Sequence, residues 1–228
     1  RHVAREGITE EVFSPQSRIL EINSKSGLYP LYATYSIYRA RRAKAENKYG
    51  EVPRALALQL WDTTLEQNIL ALCMTPMARS ITRRTLAGFR DTTVHAECYP
   101  KLIPSLTGNL PRVARTLRDG KRFWHISSEQ KMDINAIIGN PPYQVMVEGN
   151  GRAKPVYHLF MELAFQLAPR STLITPARYL FNAGFTPPEW NAKVLGDPHF
   201  RIVWYRATST EVFPFVDIKG GVAVMYYD

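Results

Sequence analysis

Cysteine is scarce in this chain. Its 228 residues hold two, Cys73 and Cys98, in no metal-ligand spacing. That scarcity excludes a disulfide framework and a cysteine-built zinc site. Both read as small core residues of a protein kept in a reducing compartment. The five histidines are scattered, so the expected mechanism uses no metal. Long apolar runs are missing as well. None approaches the roughly 20 residues that cross a bilayer, and no signal-peptide pattern opens the chain, so no membrane partner is expected. Internal repeats and low-complexity tracts are absent. Acid is short: 20 Asp and Glu face 29 Lys and Arg, for a net charge of +9. That balance is consistent with a polyanionic partner. The first residue is Arg1 and residues 1–17 show no clear pattern; they are expected to be the remnant of an upstream region.

What is present is one sizeable core's worth of chain, with basic residues in clusters. Arg39, Arg41, Arg42, Lys44 and Lys48 end one expected helix, Arg79, Arg83, Arg84 and Arg90 lie on or after another, and Arg112, Arg115, Arg118, Lys121 and Arg122 form a third group. Each group fits phosphate contact, which adds salt-dependent affinity without reading sequence. The alternative for each is a solvated face or compensation of a helix dipole, and for the first group the two readings are balanced.

Strand-like and helix-like segments alternate, which predicts an α/β sheet with helices on both faces. The expected strands are 18–22, 68–74, 92–97, 134–138, 171–175, 200–205 and 222–227. A helix is expected to start near Leu28, with Pro30 acceptable in its first turn and Leu31, Tyr35 and Tyr38 facing the core. Leu56, Leu60, Thr64 and Leu65 suggest a second helix, and 156–167 a third. The stretch 182–198 carries Gly184, Pro187, Pro188, Gly196 and Pro198 and reads as a loop with one short helix around 189–194.

Asn140-Pro141-Pro142-Tyr143 is the most informative segment. It follows the apolar run 134–139, a short buried strand by its pattern. Two consecutive prolines cannot continue a ladder, because neither can donate to it. Asn140 precedes a proline and is held extended. The product is a stiff loop at a strand's C-terminal end, presenting an amide, a proline carbonyl and an aromatic ring. Two acceptors beside a ring suit the gripping of a planar nucleobase by its exocyclic amine. An ordinary Asn-Pro turn is the plainer explanation.

The segment resembles motif IV of the amino-methyltransferases, in particular the N6-adenine DNA methylases of bacterial restriction–modification systems. The similarity extends to 19–30 (Ile19-Leu20-Glu21-Ile22-Asn23-Ser24-Lys25-Ser26-Gly27-Leu28-Tyr29-Pro30), to 68–89 with Thr75-Pro76-Met77-Ala78, to 131–144, to Thr175-Pro176-Ala177-Arg178-Tyr179, and to Phe213-Pro214 through Asp217-Ile218-Lys219-Gly220-Gly221-Val222. Together these cover most of 18–228, and the fused restriction–methylation branch is the expected one.

That resemblance implies a Rossmann-like S-adenosylmethionine-dependent methyltransferase fold, a seven-stranded, mostly parallel sheet, over 18–228, with the target-recognition domain outside it. It implies a bacterial cytoplasmic setting, double-stranded DNA as partner with the target base flipped out, and other domains of a larger polypeptide. It places the loop after 18–22 beside the loop after 134–138. In the first, Glu21 would pair with the cofactor's ammonium, while Asn23, Ser24, Lys25 and Gly27 would surround its carboxylate at a helix N-terminus. In the second, Asn140 and Pro141 would accept the two amine protons and Tyr143 would stack on the base. Tyr227, then Phe213, would close the other face. The loop departs from the glycine-rich form, since only Gly27 remains. The second strand ends at Cys73-Met74-Thr75 where an acid often binds the ribose, and Glu97 is a candidate substitute. Lys219-Gly220-Gly221 reads either as backbone close to substrate or as a plain hairpin or bulge.

Other classes remain open on sequence. Asn-Pro-Pro-Tyr also serves methylases of RNA bases and of protein glutamine side chains. Asp197 with Asp217 and Lys219 has the coarse spacing of a metal-dependent nuclease. A non-enzymatic DNA-binding module is the fourth reading.

Overall fold

The computed structural model describes residues 12–126, 132–146, 151 and 153–228. Seven strands form one sheet: β1 (Ile19–Ser24), β2 (Ile69–Cys73), β3 (His95–Cys98), β4 (Ala136–Gly139), β7 (Arg170–Pro176), β8 (Phe200–Arg206) and β9 (Val222–Tyr227). These are the seven expected strands, with small shifts at their ends. Two short strands, β5 (Gln144–Met146) and β6 (Ala153–Pro155), pair antiparallel in a separate two-stranded sheet. The sequence reading did not anticipate them.

The sheet order is β3-β2-β1-β4-β7-β9-β8. β1 lies parallel to both β2 and β4, with Glu21 opposite Ile138. This is the adjacency the resemblance implied. β9 runs antiparallel between β7 and β8, so its first residue, Val222, sits opposite Pro176 at the C-terminal end of β7.

The helices are α1 (Leu28–Tyr49), α2 (Arg54–Asn68), α3 (Pro76–Ala87), α4 (Leu102–Leu117), α5 (Gly120–Phe123), α6 (Tyr157–Leu167) and α7 (Pro188–Leu195). They cover both faces, because the strands alternate. Leu20, Ile22, Leu70 and Leu72 point into a core with α4, α6 and α7. Ile19, Ile69, Ala71 and Ala136 point into another with α1, α2 and α3. All six residues of β1 are buried, as expected of a central parallel strand covered on both sides.

Two expectations are corrected by packing. In α1 the buried stripe is Ala33, Thr34 and Ile37, while Tyr35 is exposed. Small residues let the helix lie close to the sheet, and the longer tyrosines flank it; Tyr38 meets Trp61 of α2 edge-on, with ring centroids 5.4 Å apart. α4 was not expected at all. It carries Pro104, Gly108 and Pro111, which argue against a helix of that length. Asn109 resolves the conflict: its backbone leaves the helical region (φ −160°, ψ 82°), and its side chain accepts from Arg112 N at 2.9 Å. Two short helices are thus joined at a capped kink, with Pro111 in the first turn of the second.

Several basic side chains hold the fold together. Arg41 reaches Pro15 O, Gln67 Oε1 and Asn68 Oδ1 at 2.9–3.0 Å. Arg79 donates to Ala96 O and Arg83 to Val94 O. Arg90 pairs with Asp62 at 2.7 Å. For these residues the charge is used within the fold, which neither reading of the clusters anticipated.

Candidate active site

The C-terminal ends of β1, β4 and β7 and the start of β9 share one edge of the sheet, where ligands of open α/β sheets bind. The loop after β1 is closed by its own hydrogen bonds. Gly27 is left-handed (φ +77°), and a Cβ there would lie 3.0 Å from Thr85 Cβ and 3.1 Å from Thr82 Cα of α3. Glycine is required by both conformation and space. Thr85 Oγ1 donates to Ser26 O at 2.6 Å. The Ser24 and Thr82 hydroxyls are 2.8 Å apart and buried. The Ser24 hydroxyl, expected to meet a cofactor carboxylate, is therefore engaged by α3. Asn23 Nδ2 donates to Asn140 O at 2.9 Å, which ties the first loop to the Pro-Pro loop.

Glu21, inside β1 and just ahead of that loop, is the exception. It is 2% exposed, and its Oε2 is buried without a hydrogen-bond partner. Burial pushes its carboxyl up to about 7, against the opposing pull of the Ser24 hydroxyl and the Lys25 ammonium.

The loop after β4 is left open. Asn140 Oδ1 and Tyr143 Oη are both buried, and no residue outside the loop satisfies either; the two side chains interact only with each other. Leaving such atoms poorly satisfied costs about 1–3 kcal/mol each, which is unexpected in a loop that serves structure alone. Burial also raises the Tyr143 phenol well above its ordinary range, so the hydroxyl stays neutral. Tyr143 O accepts from Val156 N at 3.1 Å, which anchors the loop to the start of α6.

Asn140, Pro141 and Tyr143 line a cavity of about 610 Å³, together with Lys25 from the first loop. Arg178, Phe213 and Asp217 line it as well. This volume lies within the usual range for small-molecule sites. Phe213 shares the lining of that cavity with Tyr143. Tyr227 does not, and that expectation is corrected. Because β9 is reversed, Tyr227 pairs with Ser171 at the far end of β7. There it stacks on Phe165, with centroids 4.1 Å apart.

Other expectations resolve similarly. Glu97 is held by Arg79 at 3.4 Å, so it does not stand free for a ribose. Thr75 caps α3 by accepting from Ala78 N at 3.1 Å. The close approach at Gly221 is to the chain itself, since a Cβ there would lie 2.2 Å from Arg206 O. Asp217 lines the cavity, whereas Asp197 precedes β8 at the opposite end of the sheet, where it interacts with Tyr227; no nuclease centre is assembled from the pair. The Cys73 thiol is pushed up to about 11 by burial, in keeping with a core role. Arg178 was quoted in a motif without a role, and its place in the cavity wall shows only in three dimensions.

The model of the Eco57I restriction-modification methylase family matches residues 67–213. The chain belongs to that family. The matched stretch takes in the whole Pro-Pro loop and ends on Phe213. No curated protein sequence matches the chain. Solved structures share its fold at low identity. A Vibrio vulnificus YJ016 protein described as a modification subunit of a type I restriction enzyme superposes with a TM-score of 0.55 at 13% identity, over 99% of this chain and 43% of its own. The type I restriction enzyme EcoKI M protein gives 0.52 at 12%, over 94% and 40%. A nuclease-deletion mutant of the type ISP restriction-modification enzyme LlaGI gives 0.59 at 10%, over 93% and 20%. The chain thus spans less than half the length of each. The seven-stranded order and these likenesses make the fold a Rossmann-like methyltransferase fold.

Proposed function

We propose that this domain of the Eco57I methylase family catalyses S-adenosylmethionine-dependent methylation of adenine N6 in DNA, on a base flipped out of the duplex, within a restriction–modification system. The observation that carries the reading is the buried Asn140 Oδ1, without a partner outside its own proline-stiffened loop, in a residue hydrogen-bonded through its carbonyl to the loop after β1. The family match and the LlaGI structure's complex with a DNA substrate mimic support it.

The residues at the end of β1 fit the cofactor. The orphaned Glu21 carboxylate suits its ammonium, and the first-turn N–H groups of α1 suit its carboxylate; Lys25, on the same loop, adds a cation. When bound, S-adenosylmethionine supplies an electrophilic methyl group. The chain's own part is to prepare the amine. The adenine N6 lone pair is delocalised into the ring, so the amine is a poor nucleophile. Asn140 Oδ1 and the Pro141 carbonyl each accept a hydrogen bond from one N6–H, and one of these protons leaves to solvent once the nitrogen carries the methyl. Those bonds strengthen as positive charge develops on the nitrogen, which favours the transition state over the ground state. No strong base is needed, and much of the rate comes from positioning. Tyr143 and Phe213 provide the two aromatic faces between which a flipped base stacks.

The test is incubation of the full-length protein with methyl-labelled cofactor and duplex DNA, followed by digestion to nucleosides. The expected product is N6-methyladenosine in its deoxy form, absent with Asn140→Ala. Label appearing only in RNA or in glutamine side chains would move the activity to another substrate class.

A further inference from the structure

Arg178 follows β7 and occupies a position the rest of the cavity wall is shaped around. Its backbone carbonyl accepts from Ala183 N at 3.0 Å, and its Nε donates to Lys219 O at 2.9 Å. Two glycines from separate loops clear the space for its side chain. A Cβ at Gly184 would lie 2.8 Å from Arg178 Cβ and Cδ, and one at Gly220 would lie 3.1 Å from Arg178 Cγ. With Nε fixed, the guanidinium plane is oriented while its terminal nitrogens remain. Among the described residues they make no hydrogen bond or ion pair, not even with Asp217, which lines the same cavity. The fork shares that cavity with Asn140, Tyr143 and Phe213.

A flipped nucleotide brings three kinds of group to such a cavity. The base amine has its acceptors in Asn140 and Pro141, and the base faces have Tyr143 and Phe213. The remaining group is the phosphodiester on either side of the sugar, which is anionic and matches a planar, two-pronged donor. We propose that Arg178 is a positioning residue that grips a phosphodiester flanking the flipped nucleotide and so sets how deeply the base enters. The inference rests on the reading of the site given above. It predicts a contact to the backbone and none to the base edge, so Arg178 contributes to affinity and not to sequence choice.

The experiment places a neutral methylphosphonate singly at each phosphate near the target adenine, and measures KM for DNA and kcat with the wild-type protein, Arg178→Met and Arg178→Lys. In the wild type, one flanking position should raise KM about tenfold more than the others. Arg178→Met should raise KM for unmodified DNA by a similar factor, with little change in kcat. It should lower the slope of log affinity against log salt by about one, and become indifferent to the methylphosphonate at that one position. Arg178→Lys should recover part of the KM and part of the sensitivity, because it keeps the charge and loses the fork. Equal, additive losses in wild type and both variants at every position would overturn the proposal. So would an Arg178→Met whose defect appears in cofactor affinity or melting temperature, with DNA KM unchanged. If Arg178→Met fails to fold, the Arg178→Lys comparison decides: full sensitivity at every position overturns the proposal. A wild-type protein that methylates no duplex would overturn the reading of the site and this inference with it.

Discussion

The loops after β1 and β4 occupy equivalent places at the ends of adjacent parallel strands, yet they treat their polar atoms in opposite ways. The first spends them internally: Ser24 on Thr82, Ser26 O on Thr85, Asn23 on Asn140 O. The second withholds them, leaving Asn140 Oδ1 and Tyr143 Oη buried with no partner outside the loop. Glu21, just ahead of the first loop, breaks its pattern with an orphaned oxygen. The difference separates scaffold from chemistry. Satisfied groups set the position of the loops, while Asn140 and Tyr143 line the cavity.

The strongest way to break this comparison is Asn140→Ala. It should lower methyl transfer by about 10²–10³-fold, as for the loss of one donor or acceptor that acts in the transition state, and leave cofactor affinity nearly unchanged. Turnover assays with calorimetric cofactor titration check both halves, and near-normal turnover would place the chemistry elsewhere. Ser24→Ala should do the reverse. Losing a buried hydroxyl pair should cost about 1–3 kcal/mol of stability in a urea titration, with turnover largely kept at permissive temperature. If Ser24→Ala instead abolished turnover at unchanged stability, the scaffold reading of the first loop would fail.

Tyr143→Ala should weaken engagement of the flipped base by about 1–3 kcal/mol, and Tyr143→Phe by less, because stacking needs the ring and not the hydroxyl. A fluorescent base analogue at the target position reports this, and equal losses in the two variants would argue against stacking. The smallest effect concerns Glu21. Burial holds its carboxyl up at about 7, so below that pH the neutral form prevails and cannot pair with an ammonium. Cofactor affinity should rise several-fold as pH climbs through about 7 and the acid ionises. The rise should be missing in Glu21→Gln. Stability carries the matching sign. The folded value lies above the unfolded one of about 4.3, so the native state holds the proton more tightly, and stability falls as pH rises from there through about 7. Glu21→Gln should therefore melt higher than the parent above neutrality and equally at low pH.

Much of this was legible in the chain. The strands announced themselves because a sheet covered on both faces needs continuous apolar runs, as in Ile19 to Ile22 and Ile69 to Cys73. The Pro-Pro loop stood out because two prolines restrict a backbone wherever they occur. The miss in α4 had a local cause: Pro104, Gly108 and Pro111 carry a helix-breaking signal that Asn109 converts into a kink. The strands β5 and β6 are three residues each, too short to show alternation. Tyr227 was misplaced for a different reason. An aromatic near the end of the last strand looks close to the site only if that strand runs parallel, and β9 does not.

By itself, then, the sequence determined the identity of the strands and the stiffness and chemistry of Asn140-Pro141-Pro142-Tyr143, because these depend on side-chain pattern and on backbone restrictions that travel with each residue. Only the tertiary structure decided which polar groups remain unpaired, which aromatic shares the cavity with Tyr143, and that Gly184 and Gly220 open a channel for Arg178. Those outcomes depend on strand direction and on contacts between residues far apart in the chain. No local propensity encodes whether a buried oxygen will find its partner.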